Sequence, residues 1–205
     1  MSHRPPILFV LSGPSGVGKD SVITALKPRF PDLHYTVTVT TRPRRPGEID
    51  GQSYLFISQQ EYDNLVDADE LLAPARVHGY WYGAPLQQVR AAFGEDKDVF
   101  LKIDVQGAMQ VKRRLPQAVF IFLAPVSFDN LAERLKKRET ESAEDLDRRL
   151  RDARFEMEQM PAYDYRVVNE EGCLDAAVNG VACIINAERL RVQRQPIDLT
   201  SARSG

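Results

Sequence analysis

Residues 7–27 read ILFVLSGPSGVGKDSVITALK, and the order of their parts decides the fold. Ile7 to Leu11 form a short apolar run between Pro6 and Gly13, the pattern of a buried strand. Val22, Ile23 and Leu26 then share one helical face, on a helix expected to end near Pro28. Between them Gly13, Gly18 and Lys19 fall on the spacing G-x-x-x-x-G-K. A strand, a glycine loop and a helix in that order make a phosphate cradle. Gly16 and Gly18 let backbone N–H groups approach phosphate oxygens without side-chain clash, and the helix directs its positive end at the anion. Lys19 is placed to reach the β- and γ-phosphates of ATP. The expected donor contacts are Gly13, Pro14, Ser15, Gly16, Val17, Gly18, Lys19, Asp20 and Ser21.

One residue departs from the pattern. A Ser or Thr usually follows the lysine and helps to hold Mg²⁺, whereas this chain has Asp20. A carboxylate is a hard oxygen donor and suits Mg²⁺, directly or through a water. Ser21 cannot take over, because one helical step turns a side chain by about 100°. Asp20 is therefore the candidate metal residue. The competing explanation is an acid placed in a first helical turn for the helix dipole alone.

Outward from the loop, DVFLKIDV, AVFIFLAP and YRVVN supply further short apolar runs separated by helical pattern. That alternation predicts an α/β fold, a parallel sheet with crossover helices. Leu174, Val178, Val181 and Ile185 mark the last helix. Two stretches break the rhythm. From Thr36 to Arg90 the sequence turns to strict alternation, TVTVT, which predicts a half-buried antiparallel strand, and SYLFIS predicts a second. TRPRRPGEIDG lies between them, with Arg42 and Arg45 on a Pro-stiffened loop and Glu48, Tyr54 and YWYG nearby. Two guanidiniums and two phenols suit a monophosphate. The second break, Ser127 to Met160, is charged and helical, with Arg134 and Arg138 four apart on one face and Arg148 and Arg149 following. Beside a phosphate loop these arginines predict a lid; alone, any one of them fits a solvated helix.

At 205 residues the chain can hold one large core with small inserted subdomains. A net charge of −2 argues against bulk binding to nucleic acid or membranes. Cys173 and Cys183 have no metal-ligand spacing and are expected as small core residues in a reducing compartment. The N-terminal apolar run is far below the ~20 residues of a membrane span. The chain is expected in the cytoplasm, with a frayed tail at 196–205.

Together the motifs SGPSGVGK, TTRPRRPGEIDGQSYLF, YWYG, IDVQGA, RLKKR, DYRVVN and INAERLR resemble the guanylate kinase family over nearly the whole chain. The resemblance implies a P-loop core with a five-stranded parallel sheet (1–34, 92–128 and 155–195), a GMP-binding subdomain with a mixed sheet (35–91) and a helical lid (129–154). It also implies transfer from ATP to GMP with Mg²⁺; the sequence leaves monomer or homodimer open. Carried over by motif, Arg42, Arg45, Tyr54 and Tyr82 match the grip on the GMP phosphate, with Glu48 on the same loop. Thr38 falls where a Ser contacts guanine, and Asp104 matches the second acid of D-x-D-x-Q-G. Arg134, Arg138 and Arg149 match lid arginines, and Asn169 a residue near the adenine.

Three positions depart from the family. Ala73 stands where a guanine-reading Glu is usual, Ala84 replaces a small hydroxyl residue, and Lys102 replaces the first acid of D-x-D. Glu70 and Asp104 are the acids from which a replacement base contact could come. GKDS is also similar to the loop of ribose 1,5-bisphosphate phosphokinases. A third possibility is a guanylate-kinase-like binding module, although those have degenerate ATP loops and this loop is intact.

Overall fold

The computed structural model describes residues 4–77, 79–136 and 143–199. Along the chain run β1 (Leu8–Ser12), α1 (Lys19–Leu26), β2 (His34–Tyr35), β3 (Val39–Thr40), β4 (Leu55–Phe56), α2 (Gln59–Asp67), β5 (Leu71–Val77) and β6 (Tyr80–Pro85). They are followed by α3 (Leu86–Gly94), β7 (Val99–Lys102), α4 (Val105–Arg114), β8 (Val119–Ala124), α5 (Phe128–Lys136), α6 (Ala143–Glu158), β9 (Tyr165–Val168) and α7 (Leu174–Arg189). Five strands form a parallel sheet in the order β2-β7-β1-β8-β9. The four others form a mixed sheet in the order β4-β3-β6-β5. β1 and β8 are buried along their whole length, as strands covered on both faces must be.

Contacts divide the chain into two compact units, one of Met1–Val10, Asp32–Val119 and Gln193–Gly205, the other of Leu11–Pro31 and Phe120–Val192. In the first, α3 packs on β7 and α4 on β5, and the small sheet covers a cluster of Val39, Tyr62 and Leu71. Asp98 secures the start of β1: it is 3% exposed, takes two 2.7 Å bonds from Arg4 and accepts from the Ile7 N–H at 2.9 Å. In the second unit α1 packs on α7, and α7 on β9. Among the described residues no helix is long and apolar enough to cross a membrane.

Two local expectations are revised. The alternating run at Thr36 to Thr40 yields only the two-residue β3, because the Gln88 side chain pairs with the Val37 backbone, accepting at 3.0 Å and donating at 2.9 Å. β3 is antiparallel to β6 and parallel to β4, the mixed sheet expected for 35–91. Cys173 and Cys183 are both exposed, not core. Cys173 precedes α7, and Cys183 lies off the face that Val178, Val181 and Ile185 bury. α1 does stop before Pro28, and a single 3-10 turn at Lys27–Arg29 follows it.

Candidate functional site

The glycine loop lies in the second unit, and close packing explains its composition. Gly13 is pressed so near β8 that a Cβ would sit 2.2 Å from the Leu123 carbonyl oxygen. Gly18 precedes α1 at φ 96°, ψ 26°, a left-handed conformation that glycine adopts without strain. A Cβ there would meet the Asn169 amide nitrogen at 2.5 Å. No side chain caps α1. Its first N–H groups therefore have no partner within the helix and face the anion position of such a loop.

Around the loop, Asn169 donates its amide to the Val17 carbonyl at 2.8 Å, while its own backbone N–H bonds Ala124 at 2.8 Å. It straps the loop to the end of β8. Arg134 donates to the Asn169 carbonyl at 3.0 Å, and Arg149, 7% exposed, donates to the Ser15 hydroxyl at 3.2 Å. Lys19 folds back over the loop onto the carbonyls of Gly13 at 2.5 Å and Pro14 at 3.0 Å. Glu156 accepts from the Ser15 N–H at 3.2 Å. It is a loop partner that no motif marks, since it is one acid among many on α6. Asp20 is exposed in the first turn of α1, where a carboxylate can share a cation with bound phosphates. Arg138 lies outside the described residues.

The arginine loop lies in the first unit. Arg42 is 7% exposed and donates to Glu48 and to the Pro43 carbonyl, both at 2.7 Å. The other Glu48 oxygen accepts from the Arg45 N–H at 2.8 Å. Burial pulls the Arg42 pKa down, but bonds to Glu48 and Tyr82 outweigh it and hold the value above the ordinary one. Burial likewise pushes Glu48 up, and the bonds from Arg42 and Arg45 prevail and hold it low. Both groups thus keep their charges across the neutral range.

The Arg42 guanidinium faces the rings of Tyr54 and Phe56 at 5.5 and 5.8 Å, and Tyr54 meets Tyr82 edge-on at 5.9 Å. Arg42, Glu48, Tyr54 and Tyr82 therefore form one cluster. Arg45 joins it through its backbone, with its side chain exposed. Lys102, which the sequence marks only as a departure, lies 4.8 Å above the Tyr54 ring. Thr40, hidden in the TVTVT run, accepts from the Arg42 N–H at 3.2 Å.

The positions expected to meet the base have a different character. Thr38 is 6% exposed, and its carbonyl accepts from Leu55 at 2.9 Å. Ala73 and Ala84 are 1% and 0% exposed, and Ala73 takes φ 55° where the β5–β6 pairing slips. Glu70 is paired with Arg90 at 3.1 Å. Asp104 caps α4 by accepting from the Gly107 N–H at 2.9 Å. Trp81 stacks on Tyr62 at 5.5 Å, a packing role.

Comparison with known proteins places the chain in a family. The profile of the family described as guanylate kinase matches residues 5–188. A guanylate kinase of Desulfitobacterium hafniense is 44% identical over 196 residues, covering 96% of this chain and 97% of that protein. One from Oceanobacillus iheyensis is 46% identical over 194 residues, covering 95% and 93%. The crystal structure of guanylate kinase from Anaplasma phagocytophilum superposes with a TM-score of 0.79 at 30% identity, covering 95% of this chain and 92% of that one. The chain belongs to the guanylate kinase family.

Proposed function

We propose that the chain transfers the terminal phosphoryl group of ATP to GMP, giving ADP and GDP. One observation carries this: an intact phosphate loop holding Lys19 occurs in the same chain as a buried, tyrosine-lined arginine of the kind that suits a second phosphate. A binding module would have no use for Lys19 and two arginines gathered at the loop. The phosphate oxygens of GMP are already nucleophilic, so no protein base is needed; catalysis is alignment and neutralisation of charge. Lys19 would exchange the carbonyls of Gly13 and Pro14 for the β- and γ-phosphates. Arg134 and Arg149 would stabilise the moving phosphoryl. Residues 129–154, which carry them, act as the lid, and 35–91 as the acceptor subdomain. Arg42, held in aim by Glu48, would grip the acceptor phosphate with Tyr54, Tyr82 and Arg45.

Mg²⁺ fits the donor chemistry, with Asp20 offering a carboxylate beside Lys19 in the first turn of α1. When bound, the ion would offset phosphate charge and the chain would supply few of its ligands. The test is a Mg·ATP assay comparing GMP, dGMP, IMP, AMP and ribose 1,5-bisphosphate. Preference for GMP is the expected result. Turnover of the sugar bisphosphate alone would overturn the assignment and make Asp20 and Ala73 the telling residues.

A further inference from the structure

We infer that Asn169 is a positioning residue for the donor nucleotide, acting on the phosphates through the glycine loop and not on the base; the inference rests on the donor site proposed above. Asn169 directly follows β9, at the carboxyl end of that parallel strand, where α/β sheets present side chains to ligands. It is 6% exposed, and three of its polar groups are engaged at once. The side-chain amide donates to the Val17 carbonyl at 2.8 Å, the backbone N–H donates to the Ala124 carbonyl at 2.8 Å, and the backbone carbonyl accepts from Arg134 at 3.0 Å. Ala124 is the last residue of β8, so the amide that reaches the loop is anchored to a fully buried strand.

The carbonyl that Asn169 holds belongs to the same peptide unit as the Gly18 N–H. In a trans peptide, as this one is, the two groups point in opposite directions. A Val17 carbonyl fixed on Asn169 therefore turns the Gly18 N–H away from Asn169 and sets its direction. Gly18 has no means of setting it alone. Its φ of 96° is left-handed, and glycine exchanges positive for negative φ at little cost, so nothing in the residue itself stops this peptide from turning over. Backbone N–H groups gathered around a left-handed residue are what make a concavity for an anion, and their aim decides whether it binds one. The contact is also specific in shape. A Cβ on Gly18 would lie 2.5 Å from the Asn169 amide nitrogen, so the amide fits only against glycine. Arg134, proposed above to meet the moving phosphoryl, is held on the backbone of this same residue.

Asn169→Leu keeps the approximate size of the side chain and removes the donor; Asn169→Ala removes the side chain and serves if the leucine variant does not fold. Kd for ADP, KM for GMP, and the inhibition constants of inorganic tripolyphosphate (phosphates without a base) and adenosine (a base without phosphates) would be measured for both and for the unaltered chain. The expected result is about tenfold weaker binding of ADP and of tripolyphosphate, as for a buried carbonyl left without its donor. Adenosine inhibition and KM for GMP should stay within twofold. ADP and tripolyphosphate affinities within twofold of the unaltered chain would overturn the inference. So would a loss shared by ADP and adenosine but not by tripolyphosphate, which would make Asn169 a base contact. A matching loss for GMP would overturn it too, as the mark of a general support of the fold. If the unaltered chain does not bind ADP, the donor-site proposal itself fails and the role of Asn169 falls with it.

Discussion

Lys19 and Arg42 hold charges of the same sign but should fail differently when removed. Lys19→Ala removes a donor aimed at charge that develops during transfer, so kcat should fall by about 10²–10³-fold with a smaller change in KM for GMP. Arg42→Ala acts on the acceptor and strands Glu48 without its 2.7 Å partner. KM for GMP should rise more than kcat falls, and steady-state kinetics of both variants separate the two roles. Asp20 is testable by the metal it would serve. Asp20→Ser should shift the Mg²⁺ concentration needed for half-maximal rate, because a neutral hydroxyl attracts the ion less strongly than a carboxylate does. An unaltered Mg²⁺ titration would leave Asp20 to the helix dipole.

Elements away from the two sites should affect stability alone. Helix α2 starts with a complete capping box: Ser58 accepts from the Glu61 N–H at 3.2 Å, and Glu61 accepts from the Ser58 N–H at 2.7 Å. Ser58→Ala should cost about 1 kcal/mol. Denaturant unfolding would show a lower midpoint with the slope unchanged, at unaltered kcat. The glycine loop is readable in the sequence, since local chemistry specifies it. β3 was readable as a strand, but its length was not. Its length depends on Gln88, 51 residues from Val37, bonding the Val37 backbone in place of a strand.

Across the first unit, the alkaline limit of stability should depend on Tyr62. This residue is 2% exposed and donates its hydroxyl to the Tyr82 carbonyl at 3.1 Å. Burial, helped by Asp63, pushes its phenol up to about 12. The unfolded value is about 10, so the fold favours the protonated form. The resulting stabilisation is complete below about pH 10 and is lost as pH rises through 12. Unfolding free energies measured across that window should fall more steeply for the unaltered chain than for Tyr62→Phe. Equal slopes would remove Tyr62 as the cause.

Sequence alone determined the parallel α/β core, the phosphate loop and the identity of the arginine cluster, because each is written in contiguous residues: an apolar run, fixed glycine spacing, a Pro-stiffened basic segment. Tertiary structure decided what those residues touch. It tied Asn169 to Val17, brought Glu156 to Ser15, paired Arg42 with Glu48 over Tyr54, and placed Lys102 on the other claim to that ring. It also showed Glu70 taken by Arg90 and Asp104 capping α4. The physical reason is separation along the chain. Local geometry follows from neighbouring residues, whereas Asn169 lies 152 residues from Val17, and Glu156 141 from Ser15. Only folding brings such groups within hydrogen-bond reach and settles which charges are paired.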